Sequence, residues 1–240
     1  MPKRHKLLAA NWKMNPAPQG FDMPIGPFRT AADVDVVVFP SAMDIEKCVA
    51  AGLTTGGQAA RPEATGAFTG DVSMAMLAAH GCQAVLCGHS ERRQHHRESD
   101  EAIHAQVRAA LDAGLLPFLC VGETADEREM GRAEEIVRAQ IDAGTRDIAA
   151  PIVIAYEPVW AIGTGKTATA ADIQTMHAFI RSSLPEALKN TPLLYGGSVK
   201  PENAAEIFAC EDVDGALVGG AALKVDSFGG ILDALRSSPL

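Results

Sequence analysis

The sequence predicts an α/β fold, a single (β/α)8 barrel filling residues 1–240, and three observations carry that reading. Eight short runs of apolar or small residues recur from one end of the chain to the other. None alternates polar with apolar side chains as a half-exposed strand does, so each reads as buried on both faces, the mark of a parallel sheet. Helical patterns with identifiable ends lie between most of these runs, and no linker, low-complexity tract or charge run divides the chain. Eight β–α repeats at this length favour a closed barrel over an open, doubly wound sheet.

In chain order, the strands are expected at Lys6–Trp12, Val34–Phe39, Thr55–Ala59, Gln83–Cys87, Leu115–Val121, Ile152–Glu157, Leu193–Gly196 and Asp214–Val218. Between the first two, Pro16, Pro18, Gly20, Pro24, Gly26 and Pro27 leave little room for a helix, so the first helix is expected to be short, broken or replaced by a loop. Ser73–His80 reads as a helix closing at Gly81. Ser99–Ala113 carries Ala102, Ile103, Val107, Ala110 and Leu111 at helical spacing and stops at Gly114. Thr124 with Glu127 has capping-box spacing and opens a charged helix expected to end before Gly144. Thr169 with Asp172 does the same for a helix through Leu188.

The bulk properties narrow the partners. A hydrophobic content of 47% is ample for a large core, and a net charge of −9 argues against nucleic acid. A small anion is still admissible, because distant charges are screened beyond about 8 Å. Its site must then be locally positive, from a lysine or from backbone N–H groups. The five cysteines are scattered, odd in number and mostly set in apolar runs such as Phe118-Leu119-Cys120-Val121, with no CxxC pair. They read as reduced, packed thiols of a cytosolic protein. The apolar run Leu7–Ala10 is too short for a signal segment and nothing approaches a membrane span, so a cytoplasmic location without a membrane partner is expected.

The chemistry gathers around the stretch from Ala155 to Ala168. An apolar run delivers one carboxylate, Glu157, to its C-terminal end, and Pro158, which has no N–H to donate, stops the strand. Val159 to Ala168 then combines an apolar anchor, Trp160, with Gly163 and Gly165 and ends in a helix-start signal. Either a base works here under a hinged lid, or a buried strand runs into an ordinary glycine-rich turn. Gly165-Lys166-Thr167 imitates the end of a nucleotide P-loop, but the glycine required five positions before Gly165 is Trp160. Its indole fills the space where phosphate needs bare backbone, and that reading fails.

Strand C-termini of a barrel converge on one mouth. Asn11 and Lys13 follow strand one, His89 follows strand four and Glu157 follows strand six. A carboxylate, an imidazole and an ammonium suit proton abstraction next to a carbonyl: a base, an oxygen polariser and a cation for developing charge. Singly, Lys13 reads as a solvated charge and His89 as a satisfied polar residue. Their convergence on one rim is harder to ascribe to chance. Gly196-Gly197-Ser198 and Gly219-Gly220 end strands seven and eight, where barrels commonly hold phosphate on uncovered N–H groups, and Gly163 could supply another. A tight turn would account for any one pair. The two tryptophans and two tyrosines, Trp12, Trp160, Tyr156 and Tyr195, all lie in or beside these segments. His89, His95 and His96 lack the spacing of a metal site, and no metal is expected.

Together these motifs resemble those of the triosephosphate isomerases. Asn11-Trp12-Lys13-Met14-Asn15, Cys87-Gly88-His89-Ser90-Glu91-Arg92-Arg93, Cys120-Val121-Gly122-Glu123-Thr124, the stretch from Ala155 to Ala168, Tyr195-Gly196-Gly197-Ser198-Val199 and Val218-Gly219-Gly220-Ala221 occur in that family's order across positions 11 to 221. The resemblance implies a TIM barrel and a cofactor-free aldose–ketose isomerase of glycolysis and gluconeogenesis, acting on dihydroxyacetone phosphate and D-glyceraldehyde 3-phosphate. It implies that Glu157 moves the proton, that neutral His89 polarises the carbonyl, and that Lys13, steadied by Asn11, offsets negative charge. Backbone N–H groups of Gly163, Ser198, Gly219 and Gly220 would grip the phosphate beneath a flap from Pro158 to Ala168. Ser90 is expected to cap a turn just after His89, where a helix N-terminus disfavours imidazolium.

A homodimer is also implied, through the loop Ala59–Asp71, whose tip Gly66-Ala67-Phe68-Thr69-Gly70-Asp71 matches the family except that Asp71 replaces the usual glutamate. Three further departures are Ala59 after Gln58 where the family has asparagine, Ala222 where serine is common, and the Pro/Gly-rich stretch 16–27 in place of a regular helix. A phosphate-binding lyase or aldolase would need a Schiff-base lysine inside a strand or a metal cluster. A non-enzymatic descendant of the fold would be expected to have lost Lys13, His89 or Glu157, and all three remain.

Overall fold

The computed structural model describes residues 5–162 and 167–239. Its strands are β1 (Leu7–Asn11), β2 (Asp35–Phe39), β3 (Gly56–Gly57), β4 (Ala84–Cys87), β5 (Leu116–Val121), β6 (Val153–Tyr156), β7 (Leu193–Tyr195) and β8 (Gly215–Val218). Each falls inside an expected run, trimmed at the ends. All pair in parallel, in the order β2-β1-β8-β7-β6-β5-β4-β3. The ring closes between β2 and β3 through a bridge from Val38 to Thr55 and a 2.9 Å bond from the Val38 N–H to the Thr54 carbonyl.

Alternate strand residues explain why the runs lack a polar face. Leu7, Ala9, Val37, Phe39, Leu86, Phe118, Cys120, Val153, Ala155, Leu194 and Leu217 form one apolar cluster, the filled barrel interior. Their neighbours, such as Leu8, Ala10, Val36, Val38, Val85 and Leu119, face the helices in a second, larger cluster. A strand packed on both sides must be apolar on both. Position 56 in β3 must be glycine, because a Cβ there would run into the Phe39 ring.

Among the described residues the helices are α1 (Ile45–Ala50), α2 (Met74–Ala79), α3 (Ser90–His96), α4 (Asp100–Asp112), α5 (Ala125–Glu129), α6 (Ala133–Gly144), α7 (Ala170–Ser183), α8 (Pro201–Phe208) and α9 (Val225–Arg236). Ser73 and Ser99 cap α2 and α4, while Thr124 and Thr169 make capping boxes with Glu127 and Asp172. Two expectations are corrected. The helix opened by Thr124 is broken in two at Gly131, whose φ of 72° ends α5, and Gly144 is the last residue of α6 rather than the residue beyond it. The helix opened by Thr169 stops at Ser183, because Pro185 cannot continue it; a 3-10 turn, Glu186–Leu188, follows. Helices α1, α3, α8 and α9 are not among those expected from the sequence, although α9 buries Phe228, Ile231, Leu232 and Leu235 at helical spacing. The first three are short, and α3 is polar almost throughout.

Between β1 and β2 there is no helix, as the prolines and glycines require. Aromatic side chains do the helix's packing. Trp12 meets Phe21 and Phe28 edge-on, at 5.9 and 5.5 Å between centroids, and Phe28 stacks on Phe228 of α9 at 4.7 Å. Arg29 staples the loop by donating to the carbonyls of Asp22, Met23 and Ala51. Residue 13 thus leaves β1 on a rigid aromatic base.

Candidate active site

The loops after β1, β4, β6, β7 and β8 enclose a cavity of about 740 Å³ at the C-terminal mouth of the barrel. Asn11, Lys13, His89, Glu157, Ser198, Gly219 and Gly220 all line it, as do Gly196 and Gly197. Gly163 lies outside the described residues, as does Lys166 of the false P-loop. The groups separated along the chain therefore share one space.

Glu157 stands immediately beyond β6 and is 3% exposed. Gly122 and Gly196 flank it closely enough that a Cβ at either would collide with its backbone or side chain. Its carboxylate is well supplied with donors. Oε1 accepts from His89 Nε2 at 2.9 Å and from Ser90 Oγ at 3.3 Å, and Oε2 accepts from the Ser90 N–H at 2.8 Å. Burial pushes the carboxyl up, but the His89 charge and hydrogen bond, the Ser90 N–H and the Lys13 ammonium outweigh it and hold the group below its ordinary range. Glu157 is thus a buried carboxylate favoured in its ionised form.

His89 is itself the N-cap of α3: its Nδ1 accepts the Glu91 N–H at 3.3 Å. This corrects the expectation that Ser90 caps the turn. Ser90 is the first helical residue and spends both its N–H and its hydroxyl on Glu157. With Nδ1 accepting, the proton that His89 shares with Glu157 sits on Nε2. Burial lowers the basicity of His89, while the adjacent Glu157 carboxylate raises it and prevails as long as the two remain in contact.

Lys13 has a φ of 51°, a left-handed conformation rare outside glycine and asparagine. Two side chains hold it there. Asn11 Oδ1 accepts the Lys13 N–H at 2.9 Å, and Gln58 Nε2 donates to the Lys13 carbonyl at 2.8 Å and to that of Phe39 at 3.0 Å. The ammonium pairs with Glu91 at 2.6 Å and passes Gly219 so closely that a Cβ there would lie 3.2 Å from Lys13 Cε. Strain of this kind is retained where the surroundings over-determine it.

Opposite, the turns after β7 and β8 present bare backbone. Among the described residues, the N–H groups of Gly197, Ser198, Val199, Gly219 and Gly220 donate to no protein acceptor. Together with Lys13 they are the local positive potential that an acidic chain needs for an anion. Among the same residues no group of three His, Cys, Asp or Glu side chains is spaced to hold a metal ion, and His95 merely lines the cavity mouth.

The base of the flap is anchored from outside the cavity. A 3-10 turn, Val159–Ala161, follows Pro158. Trp160 Nε1 donates to Oε1 of the fully buried Glu123 at 2.8 Å, the Tyr156 hydroxyl donates to the same oxygen at 3.1 Å, and Arg128 reaches it at 3.2 Å. Arg128 also lies over the Trp160 ring, 4.5 Å from its centroid, and pairs with Asp172 of α7 at 2.7 Å. The sequence motifs contain Glu123, Ser90 and Glu91 but assign them none of these contacts, and they do not mark Gln58 as a support for Lys13. Only the presence of these polar residues beside the strand ends signals them.

Comparisons with known proteins agree with one another. A family model described as triosephosphate isomerase matches residues 6–235. A triosephosphate isomerase of Jannaschia sp. (strain CCS1) is 48% identical, over 97% of this chain and 99% of its own length. Those of Alkalilimnicola ehrlichii and Deinococcus radiodurans are 45% and 46% identical, over 97% and 96% of this chain and 99% of their own lengths in each case.

Proposed function

Because this chain belongs to the triosephosphate isomerase family, we propose that Glu157, His89 and Lys13 carry its reaction, the interconversion of dihydroxyacetone phosphate and D-glyceraldehyde 3-phosphate. Glu157 leaves the donors of His89 and Ser90, takes a proton from the carbon beside the carbonyl and returns it to the former carbonyl carbon, while His89 passes the hydroxyl proton from one oxygen to the other. His89 Nε2–H then donates to the substrate oxygen. Loss of the Glu157 contact removes the largest causes that raise the basicity of His89; burial and the Lys13 charge then outweigh the Glu91 charge and keep the imidazole neutral while it polarises the carbonyl. Lys13 offsets the negative charge that grows on the enediolate. The unpaired N–H groups of Ser198, Gly219 and Gly220 grip the phosphate, with Gly163 added from the flap. A neutral imidazole and a closing loop are the established pattern of this enzyme family, and the His89 Nδ1 contact is what supports the first of them in this chain.

The observation behind this reading is that Glu157, His89, Lys13 and the glycine-rich turns after β7 and β8, whose N–H groups have no protein acceptor among the described residues, line one cavity. An isomerase assay on Glu157→Gln tests it. We expect kcat to fall about 10²–10⁴-fold, with inhibition by inorganic phosphate unchanged. Retention of full turnover would remove Glu157 from the chemistry.

The assembly belongs to the same proposal. The loop 59–73 is braced by Arg61, which pairs with Glu63 and Asp71 and covers the Phe68 ring at 3.7 Å. Met14, Met43, Phe68 and Met76 are exposed on the segments after the adjacent strands β1, β2 and β3. An apolar rim on neighbouring loops favours a homodimer through the loop Ala59–Asp71. All five cysteines are free and buried, which agrees with a cytoplasmic location. Among the described residues no helix is long and apolar enough to cross a membrane.

A further inference from the structure

Helix α8 begins where its own N-terminal residues contribute little. Lys200, at the N-cap, has no side-chain acceptor, and Pro201 carries no N–H. The third helical residue, Asn203, reaches back instead. Its Oδ1 accepts the Lys200 N–H at 2.8 Å and its Nδ2 donates to the Ser198 carbonyl at 3.0 Å. One side-chain amide therefore holds two peptide planes of the turn that follows Gly196-Gly197. In a trans peptide the carbonyl and the next N–H point in opposite directions, and no described peptide is cis. Fastening the Ser198 carbonyl to Asn203 turns the Val199 N–H away from α8. Ser198 and Val199 line the cavity and their N–H groups have no protein acceptor among the described residues, whereas Asn203 is not part of the cavity wall.

We propose that Asn203 is the positioning residue that presets the phosphate-binding turn after β7, aiming the Val199 N–H and holding the exit of the turn that carries Ser198 before substrate arrives. This rests on the reading of that turn as the phosphate grip. The gain is preorganisation: a turn already in its bound shape loses less conformational freedom on binding. Asparagine suits the task because one planar group supplies both an acceptor and a donor. Aspartate supplies only the acceptor, and alanine supplies neither.

Asn203→Ala and Asn203→Asp distinguish positioning from mere helix support. Aspartate in the first turn is favourable to the helix dipole, so Asn203→Asp keeps α8 while halving the clamp. Alanine removes the clamp without adding charge. In both folded variants we expect KM for the triose phosphates and the competitive inhibition constant of inorganic phosphate to rise about tenfold, equivalent to ~1.4 kcal/mol. The kcat should stay within about threefold of the parent, since no transition-state contact is touched. Unchanged phosphate inhibition in the two variants, with ordinary competitive inhibition of the parent, would overturn the clamp and leave the phosphate reading standing. Absence of competition by phosphate in the parent would instead bring down that reading and the clamp with it. A fall in kcat at constant phosphate affinity would also overturn the proposal.

Discussion

Single residues in this molecule are given their properties by neighbours far along the chain. Glu157 is an acid by type, but its ionised form is favoured by Ser90, 67 positions away, and by His89. His177 of α7 shows the same control outside the active site. It lies edge-on to Tyr156 at 5.8 Å, its Nδ1 bonds the Asp212 carbonyl at 3.1 Å, and Nε2 is buried without a partner among the described residues. Burial, aided by the Arg181 charge and opposed by the Asp212 carbonyl and charge, lowers its pKa from 6.5 to about 4. The unfolded chain binds this proton below pH 6.5 and the folded one only near pH 4, so stability falls across that window as the pH drops. The loss is of order 3 kcal/mol when complete, from a shift between those two values. In urea titrations at stepped pH, His177→Phe should flatten this part of the stability profile. An unchanged slope would mean that His177 is protonated as readily folded as unfolded.

Among the secondary-structure elements, boundaries are legible where a capping side chain marks them and illegible where packing decides. Ser73, Ser99, Thr124 and Thr169 announce their helices by local chemistry. The C-terminus of α9 has no such signal, and its cap comes from the other end of the chain. Lys6, 7% exposed, donates from Nζ to the carbonyls of Leu235, Arg236 and Ser238 at 2.9, 2.9 and 3.0 Å. A buried ammonium on three carbonyls satisfies the helix end and favours its dipole. Lys6→Met removes this donor from all three, a loss of about 2 kcal/mol. A chain of this size should then melt about 4–8 °C lower. Its activity should be unchanged, because the bottom of the barrel is remote from the mouth. An equal melting temperature would show that water replaces the lysine without loss.

The whole molecule adds what neither residues nor elements possess. Closure of the ring between β2 and β3 brings the segments after β1, β2 and β3 side by side and exposes their apolar tips together. If these tips form the homodimer contact, the 25.2 kDa chain should sediment at twice its mass and lose activity on dilution. Phe68→Asp should shift that equilibrium to monomer, because the new carboxylate can still pair with Arg61 while the apolar surface is lost. A parent protein that sediments as a fully active monomer would refute the contact without touching the chemistry.

The linear chain alone sets the eight strands, their parallel and fully buried character, the lack of room for a regular first helix, and the residue types at the mouth. Each of these is written in local pattern: continuous apolar runs, proline and glycine density, and a reactive side chain just past a strand. Folding settles the rest: which donors occupy Glu157, which nitrogen of His89 carries the proton, what holds Lys13 in a left-handed turn, and that Asn203 clamps Ser198. The physical reason is that hydrogen bonds have a reach of about 3 Å. Which groups come within that reach is settled by barrel closure and the packing of loops, and no spacing along the sequence encodes it.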